Sequence, residues 1–214
     1  MRRVVVLALL ALALPMAAWA GSIDITNQFG SISISALGIS SVQSQLKMFD
    51  GITPVPSSHS LGSVSFSTGA LTSGTIFGGG TFAGGAGSTF DVLGVGAWAK
   101  TLTGCPSCTN PISLFTGSFV GPVDWNLTAV GGPFGGSRWY SLTGTIAGWL
   151  YSGRWVTGTT TQNFFSNNAQ ITGGIGHITM GGSQLSVPEP GTLGLLGTGL
   201  VGIAGMFRRK RIGA

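Results

Sequence analysis

Charged side chains are scarce in this sequence. It has ten Lys or Arg and five Asp or Glu in 214 residues, and its formal net charge is +5. Six of the ten basic residues lie at positions 2–3 and 208–211. Between residues 21 and 186 the formal charges cancel, because four basic residues are balanced by four aspartates. These are Lys47, Lys100, Arg138 and Arg154, and Asp24, Asp50, Asp91 and Asp124. A body without net charge lacks the basic surface that phosphate backbones require, which excludes nucleic acid as a partner.

Catalytic residue types are equally rare in this body. It contains no glutamate, and no Gly-x-Ser-x-Gly elbow accompanies its histidines, His59 and His177. Asp50, Asp91 and Asp124 could supply the carboxylate pair of a glycoside hydrolase. The alternative is that Asp50 begins a turn and the other two lie on exposed strand faces. We expect no catalytic residues and no cofactor.

The two cysteines stand in a Cys105-Pro106-Ser107-Cys108 motif between strand-like segments. A redox pair needs a helix N-terminus to lower the pKa of the first thiol, and zinc needs further Cys or His ligands. Neither is indicated nearby. In an oxidising compartment two cysteines pair by default, so we predict a structural disulfide between Cys105 and Cys108, with metal or redox roles as alternatives.

Glycine is abundant, at 38 residues, well above the usual share of about 7%. The body of about 166 residues fits one domain. Alternation of apolar and polar residues predicts strands; these lie at 22–26, 31–35, 63–67, 90–99, 112–120, 123–130, 138–150, 154–162 and 169–180. An apolar-Thr-Gly repeat recurs at intervals of about one strand plus one turn. The pattern predicts an all-β fold, an antiparallel β-sandwich or meander, with a solenoid as the alternative.

The remaining segments of the body are predicted as follows. Val42–Phe49 is a weak helix candidate. Two glycine-rich stretches, 78–87 and 131–136, are expected to be a loop or hairpin tip and a second loop. Residues 181–186 are expected to form a short linker.

Five tryptophans lie in the body, at positions 98, 125, 139, 149 and 155. Most are expected in the core, since aromatic residues dominate buried area. Trp139 and Tyr140 are adjacent, so one of them faces outward in a strand. A possible ligand face therefore includes Trp139, Tyr140 and Trp155, where indole rings would stack on sugars. The threonine-rich segment 157–161 raises ice binding as an alternative to plain strand propensity.

The N-terminus has the form of a secretory signal peptide. Arg2-Arg3 precedes an apolar run at 4–14, and the small residues Ala18 and Ala20 predict cleavage by signal peptidase before Gly21. The alternative is an uncleaved N-terminal anchor, which the short run and Pro15 disfavour. We therefore expect residues 1–20 to be a signal peptide and residues 21–186 to be exported.

The C-terminal segment, residues 187–214, combines three elements in a fixed order. These are Val187-Pro188-Glu189-Pro190, an uncharged run at 191–207, and the basic group Arg208-Arg209-Lys210-Arg211. As a helix the run would be about 25 Å long, at the short limit for spanning a bilayer. The basic group would remain in the cytoplasm and place the body outside. This tail resembles the PEP-CTERM sorting tail of exported bacterial proteins.

The resemblance implies processing by an exosortase, which cuts near Val187–Pro190 after membrane lipid has held residues 191–207. It also implies delivery to the cell surface or extracellular matrix of a Gram-negative bacterium. A span that is never cut is the alternative. Because the same tail occurs on many unrelated bodies, including some labelled ice-binding, it implies no activity. We expect a non-enzymatic surface or matrix protein associated with exopolysaccharide or adhesion, with a carbohydrate- or ice-binding module as the alternative and a secreted hydrolase third.

Overall fold

Strands make up most of the chain that the computed structural model describes, which is residues 21–131, 137–166 and 175–186. The strands are β1 Ser22–Gln28, β2 Ser31–Ser35, β3 Gly38–Phe49, β4 Gly62–Ser67, β5 Leu71–Thr75, β6 Gly79–Phe82, β7 Thr89–Gly94, β8 Ile112–Gly131, β9 Ser137–Leu150, β10 Trp155–Ser166 and β11 Ile175–Ser186. A short helix, α1 at Ala97–Thr103, interrupts them. The predicted all-β class is confirmed.

The strands close into a barrel. The ring runs β1–β3–β4–β7–β8–β9–β10–β11 and returns to β1, with antiparallel pairing throughout. Apart from the inserted β5–β6 hairpin, neighbours in the ring follow one another along the chain. The predicted meander is therefore present, but the predicted sandwich is wrong. Alternation tells which side chains face inward, and it does not tell whether the first and last strands pair.

β1 and β2 together form one strand of this ring. Both pair with β11 in a single continuous register, from Ser22 opposite Ser186 to Ser33 opposite Ile175. Both also lie against β3. The break between them falls at Phe29 and Gly30, whose φ angles are 61° and 98°. Eight strand positions thus surround the core.

β8 is long enough to pair with both β7 and β6 along one of its edges. Its first part, from Ile112 to Gly117, pairs with β7, and Val123–Asn126 pairs with β6. The two strands predicted at 112–120 and 123–130 are one strand with a register shift between Phe119 and Val123. β6 itself lies within the stretch predicted as a loop or hairpin tip, so β5 and β6 form a hairpin that extends the sheet beside β8.

The barrel interior contains a large aromatic core. Phe66, Phe90 and Phe119 pack with ring centroids 6.0 to 6.3 Å apart. Trp125 and Tyr140 stack in parallel at 4.5 Å. The Trp125 indole donates a hydrogen bond to the Ile76 carbonyl, so the turn of the β5–β6 hairpin is fixed to this core.

A second part of the interior is polar, and we call its five residues the polar core cluster: Asn27, Ser44, Thr160, Gln162 and Ser183. All five are buried. Asn27 Nδ2 donates to Ser44 Oγ at 2.7 Å and to Gln162 Oε1 at 2.9 Å, while Gln162 Nε2 donates to Asn27 Oδ1 at 3.2 Å. Gln162 also donates to Thr160, which accepts a further bond from Ser183. The cluster joins β1, β3, β10 and β11 where the ring closes.

Two local predictions are wrong for related reasons. Val42–Phe49 belongs to β3, and its buried residues Ser44, Leu46 and Phe49 lack strict alternation because β3 carries register shifts. Residues 181–186 form the end of β11 and pair with both β1 and β10, so they are no linker. Gly181 is required there, since a methyl group would overlap the Gln162 and Asn27 side-chain oxygens.

The helix α1 was missed because residues 90–99 were predicted as one strand. β7 ends at Gly94, and Gly96, with φ 101°, redirects the chain into the helix. Gly104 ends it in the left-handed conformation, the usual helix stop. Trp98 and Leu102, four residues apart, pack against the barrel core, which gives this short helix its one apolar side.

Candidate functional site

Five outward threonines on β9 and β10 form a regular polar surface, which we call the threonine face: Thr143, Thr145, Thr157, Thr159 and Thr161. All five are exposed. Thr145 lies directly opposite Thr159, and Thr143 opposite Thr161. Neighbouring strands are about 4.8 Å apart, and alternate residues on one strand are about 6.8 Å apart. The array offers evenly spaced hydroxyl groups without charge.

A tryptophan pair stands at one end of the threonine face. Trp149 and Trp155 are opposite each other on β9 and β10. Their ring centroids are 5.1 Å apart and their planes are inclined by 76°. The side chains are 56% and 47% exposed. The rings are in edge-to-face contact, and together they present an angled, partly exposed aromatic surface that we call the Trp149–Trp155 notch.

The backbone holds this pair in place. In the turn between the two strands, Leu150 N donates to Arg154 O and Gly153 N donates to Leu150 O, both at 2.9 Å. Tyr151 N donates to Leu114 O of β8, also at 2.9 Å. The hairpin end is therefore tied to the neighbouring strand, and little further ordering is needed when a ligand binds.

The structure separates the three residues predicted for a ligand face. Trp139 and Trp155 lie on the outer surface, but Tyr140 is 1% exposed and stacks on Trp125. Its hydroxyl donates to the Phe77 carbonyl. Tyr140 is thus a core residue, because it shares the inward parity of Leu142 and Ile146. The same parity places Trp149 outward, although the sequence analysis did not single it out.

Trp139 belongs to a different surface at the opposite end of β9. Its ring centroid lies 5.0 Å from that of Phe165, the residue opposite it on β10. Trp139 and Trp149 are separated by ten residues along one strand, a distance of roughly 34 Å. The outward aromatic residues therefore stand at both ends of the threonine face.

Cys105 and Cys108 form the predicted disulfide, with their Cα atoms 5.4 Å apart. They follow the C-terminal end of α1, where Cys105 N donates to Lys100 O. A helix N-terminus would lower a thiol pKa, and this position has no such effect. Among the residues the structure describes, no group of three or more His, Cys, Asp or Glu could hold a metal ion. The bond clips the loop between α1 and β8.

The three aspartates considered for hydrolysis lie apart. Asp50 follows β3 in a turn, with φ 50°. Asp91 on β7 is opposite Thr116 on β8, and Thr116 and Asp124 of β8 pair with Trp149 and Thr143, which are six residues apart on β9, a separation of roughly 20 Å. Burial raises the pKa of Asp91, and its hydrogen bond to Thr116 opposes that shift. This spacing does not let Asp91 and Asp124 flank one glycosidic bond.

The targeting segments fall largely outside the described residues. This applies to Ala18 and Ala20 of the predicted signal peptide, to Val187–Pro190, to the run at 191–207 and to the basic group 208–211. Gly21 is exposed and directly precedes β1. In the described ranges, no helix is long and apolar enough to cross a membrane.

Comparison with known proteins identifies the tail. Residues 186–210 match the PEP-CTERM protein-sorting motif, so the resemblance seen in the sequence is confirmed for that segment. No curated protein and no solved structure matches the chain. The chain thus carries a tag for exosortase processing and export. The tag begins at Ser186, the last residue of the barrel's closing strand.

Proposed function

We propose that this protein is an exported cell-surface or extracellular-matrix component that associates with exopolysaccharide through the Trp149–Trp155 pair. The sorting motif supports the destination. The tryptophan pair supports the activity, since two adjacent indole rings about half exposed on a hairpin end offer aromatic surface to a partner. We assign the protein a binding role without catalysis.

The surroundings of the pair favour a polysaccharide rich in hydroxyl groups. Hydroxyl groups of the threonine face lie next to Trp155 along β10. Sugars present apolar ring faces and hydroxyl edges, so an aromatic ring beside a row of hydroxyl groups matches both kinds of surface.

Co-sedimentation with the producing cells' own exopolysaccharide tests this function. Mature protein purified from those cells would be compared with Trp149→Ala and Trp155→Ala variants. We expect each variant to bind roughly fivefold more weakly, since one stacked ring contributes on the order of 1 kcal/mol. Phe29→Ala is the matched control, because Phe29 is also an exposed aromatic residue, at 56%, on another part of the barrel. Equal loss in all three variants, or no binding of the wild-type protein, would contradict the proposal.

The threonine face itself favours a second candidate function, ice binding. Flush hydroxyl groups on two neighbouring strands could order a layer of water. Thermal hysteresis of the mature protein distinguishes this candidate, because it requires no polysaccharide. Replacing Thr159 by tyrosine would abolish hysteresis if the array acts as a flat surface, and would leave the tryptophan notch unchanged.

A further inference from the structure

A shallow groove crosses the outer surface of the barrel between β10 and β1. Its volume is about 280 Å³. The side chains that border it are Asp24, Thr26, Met48, Thr159, Thr161 and Gln184, and Gly182 of β11 lies at its centre. The groove is separate from the tryptophan pair, since Thr159 is four residues along β10 from Trp155, about 13 Å.

The groove exists because position 182 has no side chain. Gly182 lies opposite Thr161 on one side and Thr26 on the other. A Cβ atom there would meet nothing within 4 Å. The adjacent Gly181 is different, because a Cβ atom at that position would overlap buried amide groups. Packing thus demands glycine at 181, whereas at 182 the missing side chain creates open space.

The polar groups of the groove are arranged around one fixed pair. Gln184 Nε2 donates to Asp24 Oδ1 at 3.1 Å, which orients the amide and the carboxylate side by side. A carboxylate has about four acceptor positions, so this bond leaves most of them available. The hydroxyl groups of Thr26 and Thr159 make no side-chain hydrogen bond within the described part of the chain, and each can both donate and accept.

This set of groups is complementary to adjacent hydroxyl groups of a sugar ring. The carboxylate accepts from two neighbouring hydroxyls, while the amide and the threonines can accept or donate at the ring edge. Met48 provides an apolar border that can contact C–H groups. Asp24 is the one charged residue among those lining the groove, so an acidic sugar would be repelled.

We infer that the Gly182 groove binds a single neutral sugar residue of the polysaccharide whose chain also contacts the Trp149–Trp155 notch. The inference rests on the proposed function and makes it more specific. The tryptophan pair supplies sequence-tolerant stacking, and the Asp24–Gln184 pair reads the arrangement of hydroxyl groups. Together they select a neutral, hydroxyl-rich polymer over an acidic one.

Filling the groove provides the test. Gly182→Leu should fill the groove while leaving the fold intact, because a Cβ atom at this outward position meets nothing within 4 Å, and Gly182→Ala is the matched control with a single methyl group. Asp24→Asn removes the negative charge while keeping a side chain of nearly the same shape. In co-sedimentation of the mature protein with the cells' exopolysaccharide, Gly182→Leu and Asp24→Asn should bind roughly tenfold more weakly, and Gly182→Ala about as tightly as wild type. Circular dichroism and thermal unfolding would confirm the fold.

The outcomes separate the two proposals. If the wild-type protein binds and only Trp149→Ala and Trp155→Ala weaken it, the groove inference is overturned and the proposed function stands. If the wild-type protein does not bind exopolysaccharide, the proposed function fails. Sugar binding in the groove is then tested separately by adding neutral monosaccharides such as glucose, galactose and mannose and recording changes in the amide NMR shifts. Shifts confined to residues around Gly182 would uphold the groove, and unchanged spectra at saturating sugar would overturn it.

Discussion

Replacing Gln162 with leucine should lower the free energy of unfolding by about 3–5 kcal/mol, because Gln162 lies at the centre of the polar core cluster. Three hydrogen bonds are lost, two exchanged with Asn27 and one given to Thr160. Each contributes about 1 kcal/mol. Thr160 keeps its bond from Ser183, but Asn27 Oδ1 loses its donor and becomes a buried unsatisfied acceptor, which costs about 1–3 kcal/mol. Burial of the leucine offsets about 1 kcal/mol of this loss.

A double-mutant cycle with Asn27→Leu sharpens this prediction. In the double variant both partners are apolar, while Ser44 and Thr160 retain other hydrogen-bond partners. The destabilisation should therefore be smaller than the sum of the single variants by about 1–3 kcal/mol. Gln184→Leu is the matched control, since it makes the same change on the outer surface and should stay within about 0.5 kcal/mol of wild type.

Urea unfolding of the mature protein, followed by tryptophan fluorescence, measures these differences. A cost below about 1 kcal/mol for Gln162→Leu, or strict additivity in the cycle, would refute the role assigned to the polar core cluster in closing the barrel. An unchanged m-value would show that the variants differ in stability and not in the surface exposed on unfolding.

Two further predictions concern ionisation and the disulfide. Because the pKa of Asp91 is raised above its ordinary value of 3.8, the folded state holds this proton more tightly, so its contribution to stability is present below pH 3.8 and is lost as pH rises through the folded pKa. Asp91→Asn should therefore show a smaller fall in unfolding free energy between pH 3 and pH 7 than wild type. An identical pH dependence of the unfolding free energy in the two proteins, measured by urea titration at each pH, would contradict the burial argument. Cys105 and Cys108 are three positions apart, and so short a loop contributes only about 2 kcal/mol by the chain-entropy model. Replacing both cysteines with serine should lower the melting temperature modestly and keep the circular dichroism spectrum of the barrel, whereas complete unfolding would show that the clip is essential.

Much of the fold was predictable because the alternation is clean. The pattern of Ser31–Ser35 predicted β2, and the strand expected at 138–150 differs from β9 by one residue. Predictions failed where the period is interrupted. In β3, register shifts spread the buried residues unevenly, and at 181–186 two glycines concealed a paired strand.

The candidate site was only partly predictable. Trp155 was identified as a possible ligand contact, and the parity of β9 would have added Trp149 and removed Tyr140. The groove at Gly182 had no comparable signal. Its residues come from four strands, and Asp24 and Gln184 are 160 positions apart in the chain. Nothing in either local sequence indicates the other.

The sorting address, the all-β class, the absence of net charge in the body and the local pairing of the cysteines could all be read from the amino-acid sequence, because each depends on composition, order or short-range spacing. Closure of the meander into a ring became visible in the folded barrel alone, since it depends on the pairing of Ser22 with Ser186 at the two ends of the body. That same closure places Asp24 beside Gln184 and gathers the polar core cluster. Long-range strand pairing is set by the free energy of the whole ring, which no local pattern records.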